Sequence, residues 1–103
     1  MAFKKRLFNR VESDLGFTVK IRAIKGYVEY REGHRAATVP VHLTMGKFFV
    51  NVYSDTPVEW KPPHASEPVS EAKRMEILRN IVAALHFRKY PAELIEVKSR
   101  RER

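Results

Sequence analysis

The sequence contains no cysteine. That excludes disulfide staples, thiolate nucleophiles and every cysteine-ligated zinc or iron–sulfur site, and it fits an intracellular compartment best. Long apolar runs are missing as well. No stretch approaches the roughly 18 apolar residues of a membrane span. The basic start MAFKKRLFNR is not followed by the apolar run of about 7 to 15 residues that a secretory leader needs. A cytoplasmic protein without a membrane segment is therefore expected. Glycine is scarce, at four residues, and no glycine-rich phosphate loop, nucleophile elbow or locally spaced carboxylate pair occurs. No catalysis is expected. The four histidines, at positions 34, 42, 64 and 86, never recur at the i,i+4 spacing of a helical metal site. No metal or cofactor is expected from them.

What the chain does have is positive charge. Its 103 residues carry a formal net charge of +8, enough to suggest a nucleic acid or an acidic protein as partner. Position along the chain tempers that reading. Lys4, Lys5, Arg6 and Arg10 stand in the first ten residues with no acid among them. Lys98, Arg100, Arg101 and Arg103 face only Glu102 at the other end, while residues 11–97 are almost balanced. The excess therefore reads as two basic ends around a near-neutral centre: a basic arm over residues 1–14, one domain over 15–98 and a basic tail over 99–103.

Period-two patterning begins at Phe17. Phe17, Val19, Ile21 and Ala23 alternate with Thr18, Lys20 and Arg22, which predicts a strand with one buried face. Lys25-Gly26 offers a turn, and YVEYRE (27–32) alternates again before Gly33. The run 36–44 continues the scheme, but Pro40 has no backbone donor, so this strand belongs at a sheet edge or breaks there. After Met45-Gly46 the fourth strand runs over 47–55. Together these predict an antiparallel four-stranded meander.

Between Thr56 and Val69 the alternation stops, with four prolines in fourteen residues. No regular helix or central strand survives that composition, so an extended crossover is expected. Ser70 is a suitable N-cap, with Glu71 in the first turn where negative charge suits the helix dipole. Met75, Leu78, Ile81, Val82 and Leu85 then recur every three or four residues, with Ile77 at the margin of the stripe. The helix is expected to end at Tyr90-Pro91, with ELIEVK (93–98) adding a possible short last strand. The predicted architecture is α+β, with one long C-terminal helix packed on the meander.

Two candidate surfaces emerge. The crossover segment VEWKPPH holds the single Trp60 beside Pro62 and Pro63. A large aromatic fixed by prolines either plugs the end of the core or anchors a partner, since little entropy remains to be lost on binding. With its neighbours Glu59, Lys61 and His64 it forms the candidate partner-binding site. The alternative is single-stranded nucleic acid, bound by Tyr27, Phe49 and Tyr53 as stacking groups with Arg22, Arg31 and Lys20 on the strands and Lys4, Lys5 and Arg6 in the arm. Either a monomer or a homodimer is compatible with the Pro40-marked edge.

The succession GYVEY (26–30), TVPVHL (38–43), FFVNVY (48–53), VEWKPPHASEPVSEA (58–72) and IVAAL (81–85) resembles the small bacterial immunity domains called Imm74. Its most specific element is Trp60-x-Pro62-Pro63 shortly before the helix. The resemblance implies a cytoplasmic protein found beside polymorphic-toxin genes. Such a protein blocks a cognate toxin by occlusion, with no catalysis of its own. The basic ends depart from that family pattern.

Overall fold

The computed structural model describes residues 2–6, 9–44 and 49–97. Eight strands and one long helix follow in the order β1 (Phe3–Arg6), β2 (Arg10–Ser13), β3 (Phe17–Arg22), β4 (Tyr27–Glu32), β5 (Arg35–Pro40), β6 (His42–Thr44), β7 (Phe49–Tyr53), α1 (Glu71–Phe87) and β8 (Ala92–Ile95). Strands β1 to β5 form one antiparallel sheet in sequential order, and β6, β7 and β8 form a second. The α+β class, the crossover, the helix and the short last strand agree with the sequence-based expectation. The single four-stranded sheet does not: there are five strands in one sheet, and the predicted fourth strand belongs to another.

Two causes account for the difference. The first is the amino-terminal segment, expected as an arm, whose residues pair as a hairpin, with Lys4 opposite Glu12 and Arg6 opposite Arg10. Val11 supplies the buried contact that holds the hairpin, opposite Val19. The second is Pro40. The Ala36 carbonyl faces the outer edge of β5, where it accepts from Lys61 N–H at 2.7 Å. Backbone groups alternate along a strand, so Pro40 also turns its donorless nitrogen to that free edge. The chain then leaves the sheet at Val41 and starts β6 in the second sheet. The expected turn at Met45-Gly46 lies outside the described residues, as does the tail over 99–103.

In the second sheet β7 pairs antiparallel with β6 and parallel with β8, Val50 standing opposite Ala92 and Val52 opposite Leu94. A parallel pair requires a long connection. The crossover and α1 together supply it, so β8 returns beside β7, the strand that precedes it in the chain, in the same direction.

The helix starts where Ser70 caps it, its hydroxyl accepting from Lys73 N–H at 3.1 Å. It ends at Phe87, before the predicted Tyr90-Pro91. Lys89 adopts the left-handed conformation at φ 67°, Tyr90 N–H reaches the Leu85 carbonyl and Lys89 N–H the His86 carbonyl, both at 2.9 Å. This is a Schellman closure with lysine in the position glycine normally takes.

One continuous core lies between α1 and the inner faces of the two sheets. Ile77, Leu78, Ile81, Ala84 and Leu85 of the helix are buried. They meet rows such as Val11, Val19, Tyr30 and Ala37, and Ile21, Val28 and Val39, across the larger sheet. Ile77 is therefore a core residue, whereas Met75 and Val82 of the predicted stripe are only partly buried. The stripe is broader than the three-four spacing alone indicates because two sheets, not one, face the helix.

Candidate binding surfaces

The crossover is extended where it leaves β7. Thr56, Val58 and Trp60 point inward while Pro57, Glu59 and Lys61 are exposed. Arg74 of the helix fixes its first turn, its guanidinium donating to the carbonyls of Ser54 and of Thr56, the latter at 3.0 Å. Further on, His64 Nδ1 lies 2.8 Å from Glu67 Oε2, and Arg35 of β5 donates to the other Glu67 oxygen at 2.6 Å. His64 first and Arg35 second hold the Glu67 carboxyl below its ordinary range. Two backbone turns, His64 N–H to Lys61 O at 2.9 Å and Glu67 N–H to His64 O at 3.0 Å, complete a segment tied down at both ends.

Within it the candidate residues separate. Trp60 keeps only 6% of its surface exposed and belongs to the core, beside Val58. Glu59, Lys61, Pro62 and Pro63 are exposed and His64 is half-buried. The indole is thus the foundation of the segment, and the outward rim is formed by its neighbours.

The residues considered for nucleic acid are divided more sharply. Register in the larger sheet sorts them by face. One row across the outer face runs Lys4, Glu12, Thr18, Arg31, Ala36; the next runs Arg6, Arg10, Lys20, Glu29, Thr38. Arg22 stands opposite Tyr27 in a third row. Lys4, Arg6, Lys20, Arg22, Tyr27 and Arg31 therefore share one face, whereas Lys5 pairs with Val11 and falls on the other. Phe49 and Tyr53 are on β7 in the smaller sheet, where Tyr53 meets His42 edge-on with ring centroids 5.1 Å apart. The three aromatics do not assemble into one stacking platform. Tyr27 is the only aromatic among the described outer-face positions of the larger sheet.

Arg10, absent from the candidates, joins this face beside Lys20. The signal that could have found it is the alternation Arg10-Val11-Glu12-Ser13, which reads as a strand once Val11 is taken as its buried residue. Charge on the face is unevenly paired. Arg6 donates to Glu12 at 3.0 Å, and this hydrogen bond holds the Glu12 carboxyl below its usual range. Lys61 of the crossover approaches Glu29 to 3.8 Å. Among the described residues Arg10, Lys20, Arg22 and Arg31 have no carboxylate within ion-pair distance.

Beneath the inner face one buried polar group is fully satisfied. Tyr30 donates to Glu32 Oε1 at 2.7 Å and accepts from Asn80 at 3.2 Å, and Lys73 reaches Glu32 Oε2 at 2.6 Å. Burial first and the Glu32 hydrogen bond second push the Tyr30 phenol well above its ordinary value. It stays a neutral structural donor, unsuited to proton transfer near neutral pH. No cluster of three or more metal-ligating side chains occurs among the described residues, and none of the described helices is long and apolar enough to cross a membrane.

The comparison with family models places this α+β chain in the immunity-protein class. The model of Immunity protein 74 matches residues 20–94, from within β3 to β8, and the chain belongs to that family. No match was found among the curated proteins or among the solved structures. The β1–β2 hairpin lies ahead of the matched span.

Proposed function

We propose that this protein is a non-catalytic immunity module that binds a cognate bacterial toxin domain and blocks it by occlusion. The observation that carries the reading is membership of the Immunity protein 74 family over residues 20–94. The rim of Glu59, Lys61, Pro62, Pro63 and His64 supports it, being outward-facing and held by Arg74, Glu67 and the buried Trp60. A rim fixed before binding loses little conformational freedom when it is covered.

The nucleic-acid alternative draws on the basic outer face, but that face offers a single aromatic, Tyr27, where non-specific single-strand binding relies on successive stacked bases. Affinity purification of the tagged chain from its native cells, split into nuclease-treated and untreated halves, separates the two. The immunity reading expects a stoichiometric protein that survives nuclease and moderate salt. Recovery of nucleic acid alone, lost on either treatment, would overturn it.

A further inference from the structure

Counted along the chain, residues 11–97 are almost neutral. In space that charge is unevenly distributed, and the basic residues before position 11 add to one face. Strand alternation delivers Arg10, Lys20, Arg22 and Arg31 to the outer face of the larger sheet, joined by Lys4 and Arg6 from the hairpin. Only Glu12 and Glu29 oppose them there, and each is engaged by a cation at the rim, Arg6 on one side and Lys61 on the other. Most of the remaining acids sit elsewhere: Glu59 and Glu67 in the crossover, Glu71 and Glu76 on the helix, Glu93 and Glu96 at β8 and beyond.

The centre of the face is also concave. A depression of about 430 Å³ is lined by Arg10, Glu12, Thr18, Lys20, Glu29 and Arg31. Its cations have no carboxylate partner among the described residues, and the helix covers the opposite side of the sheet. Lys61 joins this depression to the crossover rim, because its backbone N–H bonds Ala36 of β5 and its ammonium approaches Glu29.

We infer that the outer face of the five-stranded sheet, centred on Arg10, Lys20 and Arg31, is the docking surface for an acidic patch on the protein that this chain binds, with the crossover rim at its border. The inference rests on the immunity reading for its choice of a protein partner. Charge complementarity selects the patch: unpaired guanidinium and ammonium groups gathered in a hollow are matched by carboxylates presented from a partner's surface. A guanidinium donates to a carboxylate in bidentate fashion, so Arg10 and Arg31 fix orientation as well as charge. The matched span begins at residue 20, so Lys4, Arg6 and Arg10 come from a hairpin outside it and extend the face beyond it.

The test is titration calorimetry of the full chain against a catalytically inactivated copy of a candidate toxin domain taken from the gene's neighbourhood. The variant Arg10→Glu/Arg31→Glu is compared with Lys25→Glu/Arg79→Glu, an equal charge change at exposed positions off the face. The milder Arg10→Gln/Arg31→Gln is run beside them in case the reversal perturbs folding, with circular dichroism on all three. The face reversal is expected to weaken binding by about tenfold or more, the neutral pair by a smaller factor, and the control pair by less than about twofold. Wild-type affinity in a folded face variant overturns the docking surface and leaves the immunity reading standing. No binding by the wild-type chain removes the immunity reading and this surface with it. A parallel titration with a twenty-nucleotide single strand covers the other class of polyanion. Tight, salt-steep binding there that the face variants abolish, with toxin affinity unchanged, assigns the face to nucleic acid and overturns the inference.

Discussion

Lys73, in the first turn of α1, reaches down to Glu32 at the end of β4, its Nζ 2.6 Å from Oε2. The same ammonium contacts Glu76 at 2.9 Å, and the same carboxylate accepts from the buried Tyr30 at 2.7 Å. Burial pushes the Glu32 carboxyl up, but the hydrogen bonds from Lys73 and Tyr30 outweigh it, so its pKa falls below the ordinary 4.5. A folded-state value below the unfolded one means that the carboxylate stabilises the fold above pH 4.5. That contribution is lost as pH falls through the lower folded-state value. Glu32→Gln is expected to cost about 1 kcal/mol at neutral pH, since the group is partly solvated. The difference from wild type should shrink as pH falls below 4.5, followed by urea denaturation at a series of pH values. A constant difference across that range would show that the charge of Glu32 is not what stabilises the fold.

Arg74 holds the start of the crossover by donating to the carbonyls of Ser54 and Thr56, residues that are themselves buried. Arg74→Ala strips a charged donor from those acceptors, and about 2 kcal/mol of unfolding free energy should go with it. Backbone amide exchange offers a local readout: protection at Thr56, whose N–H bonds the Tyr53 carbonyl at 3.0 Å, should fall more than protection in β3.

At the end of α1, Lys89 occupies a left-handed conformation, φ 67°, in the Schellman closure. Glycine adopts that conformation without a Cβ penalty, so Lys89→Gly should raise stability by roughly 0.5 to 1 kcal/mol. A loss of stability on thermal unfolding would mean that the lysine stem packs against its surroundings by more than the strain it carries.

Trp60 gives a direct view of the core, because it is the chain's single tryptophan and keeps 6% exposure. Its fluorescence should be blue-shifted in the native state and shift to the red in one step with unfolding. Trp60→Ala should cost about 3 to 5 kcal/mol by opening a cavity under the rim, with Trp60→Phe retaining part of it. An exposed-type emission spectrum in the folded protein would contradict the plug role.

Much of this fold is legible residue by residue. The alternation from Phe17 to Glu32 corresponds to β3 and β4, Ser70 caps the helix, and Pro40 marks both an edge and a break. The hairpin was hidden because its strands carry basic residues on one side and little more than Phe3 and Val11 on the other. A strand whose outer face is charged looks, by composition, like a solvated arm. The second sheet was hidden for a different reason. Its parallel pairing joins β7 to β8 across the whole crossover and helix, and no local pattern encodes a partner that distant. The basic face is not legible from charge counted along the chain, because a strand sorts successive residues to opposite faces. In the crossover the prolines mark an extended path, while the inward orientation of Trp60 follows from the alternation Thr56, Val58, Trp60, which the prolines obscure.

The central claim is protection of a cell by a protein–protein block, and growth under toxin expression tests it most directly. Cells expressing a candidate toxin domain taken from the gene's neighbourhood should survive when the intact chain is co-expressed, with both proteins eluting as one stoichiometric complex after nuclease treatment. Cell death despite abundant, folded chain, with no complex formed, would contradict it.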